Sequence, residues 1–392
     1  MRGSLLTFSC TILLLLGCKK PFLPVLNQSG SNRYLVVEGV ITGSDSTMIK
    51  LSRTKLIDTS KSIAPETGAV VTIENDANAT IPLTEIKPGT YAAPPFNLDP
   101  AHKYRLDIKT SNAKEYISDY VTVKNSPPID SVGFAATALG MRVNVSSHDP
   151  SNATRYYRWD YSETWQFHSW FNSTYADDGG DYRTPETQIY HCFANDSSST
   201  VVIASTTKLA NDVLYQAPIT TVDPASEKIE TKYSILVKQY ALTPDAYAFW
   251  QNLQKNTQQI GSIFDVLPSQ STTNIRCVTD PGELVVGYVS AGNVSYRRAF
   301  ITKEQLPASY KTVYPEVCEI DTVFTYHPPA TPWEKVMTDD YNQHTSLYTI
   351  VNGLYIPPAN PYTGGPTAYS YSTVFCVDCT IRGATKTPAF WK

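Results

Sequence analysis

The chain has 392 residues, with 32 Lys or Arg against 36 Asp or Glu and a formal net charge of −4. This balance excludes the clustered basic charge and high isoelectric point that are typical of nucleic-acid-binding domains, so we expect no nucleic-acid partner. Tyr is abundant at 26 residues, while charged residues make up only 17% of the chain. Because aromatic and β-branched residues favour half-buried pleated surfaces, the composition predicts a mostly β protein.

The N-terminus has the pattern of an export signal. Arg2 precedes an apolar run from Leu5 to Leu16, and a basic start before about 7–15 apolar residues is typical of a secretory signal. The run is shorter than the roughly 18–20 apolar residues that a membrane-spanning helix needs. Gly17 and Cys18 complete a sequence that resembles the lipobox of bacterial lipoproteins, in which the cysteine thiol is acylated and becomes the new N-terminus. We therefore predict a lipoprotein signal peptide over residues 1–17 and lipidation of Cys18; the alternative is an ordinary signal peptide that contains a cysteine.

A tether and a first domain follow. Residues 18–33 are polar and turn-rich, so we expect a lipidated linker with little to bury. Over residues 34–125, short β-type runs separated by turn residues predict a sandwich of immunoglobulin (Ig-like) or transthyretin type. Its predicted strands are 34–41, 48–52, 69–74, 89–91, 104–109 and 116–123. The boundary is predicted at residues 126–128, Ser-Pro-Pro, because proline interrupts strand pairing.

Residues 129–392 predict a larger β-rich domain with an aromatic strand near its start. From Tyr157 to Phe167 large aromatic residues recur at every second position, apart from Glu163, which is the period of a strand. The aromatic face either packs in the core, the commoner use of such a face and the interpretation we favour, or forms a platform for a sugar or another flat ligand. The candidate ligand-facing residues are Trp159, Trp165 and Trp170.

One amphipathic helix is predicted over about residues 243–260. Thr243, Pro244 and Asp245 supply an N-cap, a first-turn proline and an acid at the positive end of the helix dipole. The apolar stripe that we expect to pack on a sheet consists of Tyr247, Trp250, Leu253 and Ile260. Further along, residues 285–301 predict a β-hairpin around a Gly-Asn turn.

Seven cysteines are present, but Cys10 leaves with the signal peptide and Cys18 is the lipid site. An exported protein can keep disulfides, and the five remaining cysteines leave at least one thiol free or paired between molecules. The disulfide candidates are Cys192, Cys277, Cys318, Cys376 and Cys379. Spacing does not fix their connectivity; we favour Cys318 with Cys376 or Cys379, and Cys192 with Cys277.

The pair Cys376-x-x-Cys379 has two alternative uses that the sequence favours less. A thioredoxin-type redox pair needs its first thiolate at a helix N-terminus, and no helix pattern follows this pair. A zinc site needs four ligands, and the other cysteines and histidines are scattered. Because Gly-x-Ser-x-Gly and His-Glu-x-x-His motifs are also missing, the sequence predicts no catalytic residue, metal or cofactor.

Several segments together resemble one family. The matching segments are residues 34–41, 49–54, 233–242, 261–265 and 376–383, with the terminal Phe390-Trp391. They are similar to the Bacteroidota outer-membrane lipoproteins of the domain-of-unknown-function 4249 family, and the ending from Cys376 to Trp391 is the most specific part. The resemblance implies an outer-membrane lipoprotein, often encoded beside a TonB-dependent (SusC-like) receptor, without catalytic residues and without a known ligand.

From these patterns we expect a non-enzymatic protein that is lipid-anchored in the outer membrane. Its role would be that of an accessory or ligand-capture partner of a TonB-dependent transporter in nutrient uptake, with an unidentified small-molecule or glycan ligand. The alternative is a structural or adhesive cell-surface protein built from β-sandwiches. Lys19-Lys20 follows the lipidated cysteine where surface lipoproteins of that phylum often carry acids, so the cell surface and the periplasmic face both stay open.

Overall fold

The computed structural model describes residues 33–54, 64–173, 176–177, 182–183, 188–258, 273–314, 316–324, 348–354 and 368–392. The predicted signal peptide, Cys18 and the tether up to residue 32 therefore lie outside the described residues. Strands predominate in the described part, which confirms the mostly β prediction. No helix within these ranges is long and apolar enough to cross a bilayer.

The described residues before Ser126 form short strands with turn residues between them. These strands are β1 (Leu35–Ile41), β2 (Thr47–Arg53), β3 (Ala64–Pro65), β4 (Val70–Asn75), β5 (Thr80–Lys87), β6 (Thr90–Ala93), β7 (Lys103–Lys109), β8 (Glu115–Ser118) and β9 (Val121–Thr122). Strand β7 shows the local rule, since Tyr104, Leu106 and Ile108 are buried while the residues between them are half-buried. Side chains of successive strand residues point to opposite faces, and the alternation aims one face at the core.

The rest of the chain adds sixteen described strands and two α-helices. The strands are β10 (Ile129–Thr137), β11 (Gly140–His148), β12 (Tyr156–His168), β13 (Ala176–Asp177), β14 (Tyr182–Arg183), β15 (His191–Ser197), β16 (Val202–Ser205), β17 (Val213–Val222), β18 (Lys232–Ala241), β19 (Ile275–Cys277), β20 (Val285–Gly287), β21 (Ser290–Ala291), β22 (Ser295–Thr302), β23 (Asp321–Phe324), β24 (Tyr348–Leu354) and β25 (Ala368–Thr373). The helices are α1 (Pro244–Gln258) and α2 (Val374–Val377), and 3-10 turns cover Glu227–Ile229, Lys303–Gln305 and Cys379–Ile381.

The first sandwich is completed from far along the chain. Strands β19, β20 and β21 belong to residues 273–291, here called the returning segment, and they pair with β8 and β1 of the first sandwich. Ile275, Val285 and Ala291 are buried in its core. The predicted boundary at residues 126–128 thus separates β9 from β10, but the first core also contains part of the region assigned to the second domain.

The predicted hairpin over residues 285–301 is wrong, because its first strand belongs to the first sandwich and its second strand to the second. Strand β20 pairs in parallel with β1 in the first sandwich, whereas β22 pairs with β18 in the second. The Gly-Asn turn therefore lies where the chain passes from one sheet to the other. A local turn signal does not reveal that its two flanking strands find partners in different sheets.

The second sandwich packs the three-stranded sheet β10-β11-β17 on the sheet that contains β15, β16, β12, β18 and β22. The long aromatic strand is confirmed as β12, whose Tyr157 and Trp159 are essentially inaccessible. The Trp159 indole nitrogen donates to Gln239 Oε1 at 2.9 Å, so its polar atom is satisfied inside the core. Full burial of such large side chains supplies much of the driving force for a sandwich of this size.

Two disulfides hold residues 374–392, here called the C-terminal tail, and one of them reaches the second sandwich. Cys379 is bonded to Cys192 in β15, and Cys376 is bonded to Cys318. The pairing of Cys318 with Cys376 agrees with one of the predicted alternatives. The predicted pairing of Cys192 with Cys277 is wrong, because Cys277 lies in β19 of the first sandwich as a buried free thiol.

Candidate functional site

A groove of about 630 Å³ lies between the two sandwiches, and we call it the inter-sandwich groove. Its floor is the outward face of β12 and β18. One wall comes from β1, β2 and the loop between them, and the other from α1 and residues 197–201. A volume of this size lies within the range of roughly 300–1,000 Å³ that is typical of small-molecule sites.

Strand alternation places polar residues on the floor of the groove. Because Tyr157 and Trp159 point into the second core, Arg158 and Asp160 point out of it. In the pairing of β12 with β18, Arg158 lies opposite Tyr240 and Asp160 opposite Lys238. The groove floor is therefore a fixed consequence of how the aromatic strand packs.

Arg158 is held rigidly at one end of the floor. Its guanidinium lies 4.3 Å from the ring centroid of Tyr240 and 4.1 Å from that of Trp250, between the two rings. One Nη donates to Asp160 Oδ2 at 3.1 Å, while the buried Nε has no hydrogen-bond partner within the described ranges. Burial, followed by the charge of Asp160, raises the pKa of the Tyr240 hydroxyl, which stays protonated at neutral pH.

A tyrosine connects the two sandwiches across the groove. The Tyr296 hydroxyl, from β22 of the second sandwich, donates to Asp45 Oδ2 of the first at 3.1 Å. Burial and the neighbouring Asp45 carboxylate raise the pKa of Tyr296 to about 12, so the hydroxyl remains a donor. The Lys238 ammonium lies 5.8 Å from the Tyr296 ring centroid, within cation–π distance. Tyr296 is 40% exposed and lines the groove.

A β-bulge forms the rim of the groove. Strands β15 and β16 both pair antiparallel with β12, the first with Ser162 to His168 and the second with Tyr156 to Trp159. They act as one strand that is interrupted at residues 198–201. Ser198 fixes the interruption, because its hydroxyl accepts from the Tyr161 amide at 3.1 Å and its own amide donates to the Tyr161 carbonyl at 2.9 Å. Bulges are over-represented beside active sites, where they redirect side chains.

Helix α1 supports the opposite side of the bulge. Its start is as predicted, since the Thr243 hydroxyl accepts from the Ala246 amide at 3.2 Å and Pro244 is the first helical residue. Gln254 Nε2 donates to the Val201 carbonyl at 2.7 Å. The two most deeply buried positions of the helix are Ala246 and Phe249.

The predicted apolar stripe of α1 is only half-buried. Trp250 and Leu253 line the inter-sandwich groove instead of packing fully against a sheet. Ile260, the last residue of the predicted stripe, lies outside the described residues. Because Trp250 and Leu253 line the groove, the helix presents aromatic and aliphatic surface that a ligand can contact.

A second pocket, of about 530 Å³, lies beside the start of β1 and is lined by charged side chains. Arg53 donates to Glu66 at 2.6 Å and to Glu283 at 3.0 Å. Glu283 also pairs with Lys114 and accepts from the Tyr116 hydroxyl at 2.6 Å. These groups bond mainly to one another, and only the buried Arg53 Nη2 has no hydrogen-bond partner within the described ranges. We assign the cluster to holding the returning segment and call it the ion-pair clamp.

Two further polar clusters lie in the second sandwich. Lys228 donates to Glu163 at 2.5 Å, and although burial alone would lower the pKa of Lys228, the Glu163 contact raises it. Glu230 accepts from the His168 amide at 3.1 Å and from the Tyr314 hydroxyl, and burial raises the pKa of Glu230. In the described part of the chain, no group of three His, Cys, Asp or Glu side chains could hold a metal ion.

The three tryptophans predicted as ligand-facing do not line the inter-sandwich groove. Trp159 is 1% exposed and lies in the core, so the platform interpretation is wrong for it. Trp165 is half-buried, with its indole nitrogen donating to Glu227 at 3.3 Å. Trp170 is 49% exposed and contacts the Tyr314 ring edge-on at 5.1 Å, away from the groove. The groove is lined instead by Arg158 and Asp160, which alternate with the aromatic residues of β12 and point to the other face of the sheet.

Sequence reasoning missed the residues that form the groove. They include Arg158, Lys238, Tyr240 and Tyr296, whereas Trp250 was predicted but was assigned to packing on a sheet. The sequence contained a signal for Arg158, because a strand with one aromatic face points its alternate residues to the opposite face of the sheet. Nothing local to β18, α1 or β22 indicates that the first sandwich lies opposite them.

Comparison with known proteins gives one family match. The model of the family described as "Domain of unknown function (DUF4249)" matches residues 19–298. The match ends before Cys376, so the tail segment that carried the most specific resemblance lies beyond it. No curated protein matches the chain.

Solved structures give only weak likenesses. A DUF4785 family protein from Legionella pneumophila is 10% identical, with 52% of each chain covered and a TM-score of 0.18. The FN1–FN3 domains of chicken CNTN1 are 12% identical, with 54% of this chain and 64% of that chain covered and a TM-score of 0.18. The chain thus spans about half to two thirds of these relatives. At such scores the likenesses carry no conclusion about fold or function.

Proposed function

The chain belongs to the DUF4249 family, and we propose that it is a lipid-anchored, non-enzymatic ligand-capture protein that serves a TonB-dependent transporter of the outer membrane. The observation that carries the binding role is the inter-sandwich groove. It combines an open volume of about 630 Å³ with a fixed arginine, part-exposed aromatic rings and a hydroxyl-bearing bulge.

The groove is built as a binding site more than as a catalytic one. Arg158 contacts two aromatic rings and is paired with Asp160, an arrangement that fixes the position of the guanidinium in the lining of the groove. The nearby tyrosine hydroxyls of Tyr240 and Tyr296 have raised pKa values, which keeps them protonated and poorly suited to act as bases at neutral pH. These features support recognition without chemical turnover.

Anchoring would supply the second half of the function. Acylation of Cys18 attaches the protein to the bilayer, and residues 19–33 have the polar composition of a linker. A tethered binding protein meets a membrane-embedded transporter at a high effective concentration, so a weak interface between them is sufficient. Family resemblance to proteins encoded beside TonB-dependent receptors supports that partner.

The anchor is tested by Cys18→Ala in cells that produce the full chain. We expect the variant to appear in the soluble fraction, because loss of the thiol removes the acylation site. Cys10→Ala is the matched control, since this cysteine lies within the predicted signal peptide and its loss should leave membrane attachment unchanged. Retention of the Cys18→Ala variant in membranes after a high-salt wash would contradict lipid anchoring.

The partner is tested by capture from detergent-solubilised outer membranes with a tag after residue 392. A receptor barrel that co-purifies with the wild-type chain supports the transporter role. Self-association without any barrel would instead favour the alternative of an adhesive or structural surface protein.

A further inference from the structure

We propose that the inter-sandwich groove binds a neutral oligosaccharide, an inference that rests on the proposed ligand-capture function and names its ligand class. The argument comes from the charge, the hydrogen-bonding capacity, the aromatic surface and the strand pairing of the groove.

The charges of the groove are mixed in sign. Arg158 and Lys238 are its cations, and Glu38, Asp45 and Asp160 are its carboxylates. Arg158 is already paired with Asp160. Polyanionic ligands such as nucleic acids are held by an excess of Lys and Arg, which this groove does not have. The balance therefore favours a ligand without net charge.

The polar groups of the groove suit hydroxyl groups. A hydroxyl carries one donor and two acceptor lone pairs, so it can bond to a carboxylate and to a cation at once. The groove offers both kinds within one surface, and the bulge adds the hydroxyls of Ser199 and Thr200. A sugar presents several hydroxyls per ring, each of which finds donors and acceptors on such a surface.

Aromatic side chains add the apolar contacts that a sugar needs. The faces of aromatic rings are electron-rich and attract the C–H groups on the flat side of a sugar ring. Tyr296 is 40% exposed, and Trp250 is half-buried in the wall formed by α1. Both rings belong to the side of the groove formed by the second sandwich, Tyr296 in β22 and Trp250 in α1, so an extended ligand of several sugar units could contact both.

The strands on the floor of the groove, and β1 in its wall, have no free edge to which an extended peptide could add. A peptide that adds to a sheet needs a free strand edge. Strands β12 and β18 on the floor are each paired on both edges, and β1 in the wall pairs with β2 on one edge and with β20 and β21 on the other. On these three strands recognition is left to side chains, the mode that suits a saccharide. Strands β15, β16 and β22 each pair with another strand on one edge only among the described residues, and the peptide probe below tests those edges.

The test measures binding to the purified full chain in detergent by titration calorimetry. The probes are maltoheptaose, cellohexaose, xylohexaose and mannohexaose, with hexagalacturonate as an acidic counterpart and an extended peptide for comparison. We expect at least one neutral oligosaccharide to bind, with affinity reduced at least about tenfold in Tyr296→Ala and Lys238→Ala. Ser199→Trp, at an exposed position of the bulge, should block the groove without touching a core.

Tyr215→Ala is the matched control, because Tyr215 is a 78% exposed aromatic residue on β17, away from the groove. An equal loss of affinity in this control and in Tyr296→Ala would overturn the placement of the ligand. Binding of the acidic oligosaccharide or the peptide alone, or of none of the probes, would overturn the ligand class. Co-purification of a receptor barrel tests the proposed function separately. If a barrel co-purifies but no oligosaccharide binds, only the ligand class proposed here is wrong. If an oligosaccharide binds but no barrel co-purifies, only the proposed transporter role is wrong.

Discussion

The two sandwiches are closed by different physical means. The first is completed by the returning segment, whose strands pair with β1 and β8 and whose Glu283 enters the ion-pair clamp with Arg53 and Lys114. The second has its own core, and the C-terminal tail packs beside it in small clusters with Phe167 and Cys192, attached through Cys192–Cys379 and bonded to Cys318 through Cys376. In both cases a segment remote in sequence is joined to the sandwich, but only the returning segment contributes residues to the main core.

The difference predicts where each half of the molecule is vulnerable. A buried ion pair is costly to break from one side, because the remaining charge is left without its partner in a poorly solvated place. A disulfide restricts the unfolded chain and depends on the redox potential of the surroundings. The first sandwich should therefore respond to charge and pH, and the second to reductant.

The largest expected effect is that of Glu283→Ala on the first sandwich. The side chain is only 10% exposed and contacts Arg53, Lys114 and Tyr116. We expect a loss of about 3–5 kcal/mol in the free energy of unfolding, the range for removing one partner of a buried pair. Asp280→Asn is the control, because that carboxylate is 51% exposed and pairs with the same Lys114; its expected cost is below about 1 kcal/mol. Chemical denaturation of both variants measures the difference, and equal costs would refute the clamp.

The second-largest expected loss in the free energy of unfolding is that caused by reduction of the disulfides. We expect the second sandwich to lose about 2–5 kcal/mol on reduction, in line with native disulfides elsewhere. Hydrogen exchange should increase in β15 and in the C-terminal tail and stay unchanged in β1 to β9. Cys277→Ala is the control variant, and reduction should affect it as it affects the wild type, because this thiol is free and lies in the first core. An equal increase in hydrogen exchange in both sandwiches on reduction would show that the effect of the disulfides is not confined to the second sandwich.

A smaller effect is expected from Gly287→Ala in the returning segment. Gly287 has φ of +138°, and a Cβ there would lie 2.2 Å from the Val37 carbonyl oxygen of β1. The strained backbone should cost about 1–3 kcal/mol and weaken the pairing of β20 with β1. Gly133→Ala in β10 is the matched control, since a Cβ there meets nothing within 4 Å. Thermal unfolding compares the two, and a neutral Gly287→Ala would argue against the close approach of these strands.

The smallest expected effect is a difference in pH response. Burial alone would raise the pKa of Glu283, but its hydrogen bonds with Lys114 and Tyr116 outweigh burial and lower it. Its stabilising contribution is therefore present above the ordinary glutamate pKa of 4.5 and is lost as the pH falls through the lowered value. Burial raises the pKa of Glu230 in the second sandwich, so its contribution is fullest below 4.5 and is lost as the pH rises through the raised value.

On acidification from pH 7 we therefore expect the first sandwich to lose protection against hydrogen exchange relative to the second. Glu230→Gln, which keeps an acceptor but no charge, should remove the opposing trend of the second sandwich. Parallel pH responses of the two sandwiches in the wild-type chain would contradict the opposite signs assigned to these carboxyls.

Local patterns predicted the elements whose signals lie within one segment. The aromatic alternation predicted β12 and its core side, and Thr243-Pro244-Asp245 predicted the start of α1. Strand β5 (Thr80–Lys87) was not predicted, because Pro82 within it and the Lys-Pro-Gly sequence after Ile86 are typical of turns. Its place between β4 and β6 is decided by pairing, which overrides the local signal.

The amino-acid sequence by itself determined the β-rich class, the long aromatic strand, the helix α1 and the use of the tail cysteines in disulfides. Tertiary structure alone decided that residues 273–291 complete the first sandwich, that Cys192 bonds to Cys379, and that a groove lies between the sandwiches. The physical reason is range. Periodicity and capping act over a few residues. These three features instead join distant segments, 187 residues apart for Cys192 and Cys379 and 251 for Asp45 and Tyr296 across the groove, and their encounter depends on how whole sheets pack.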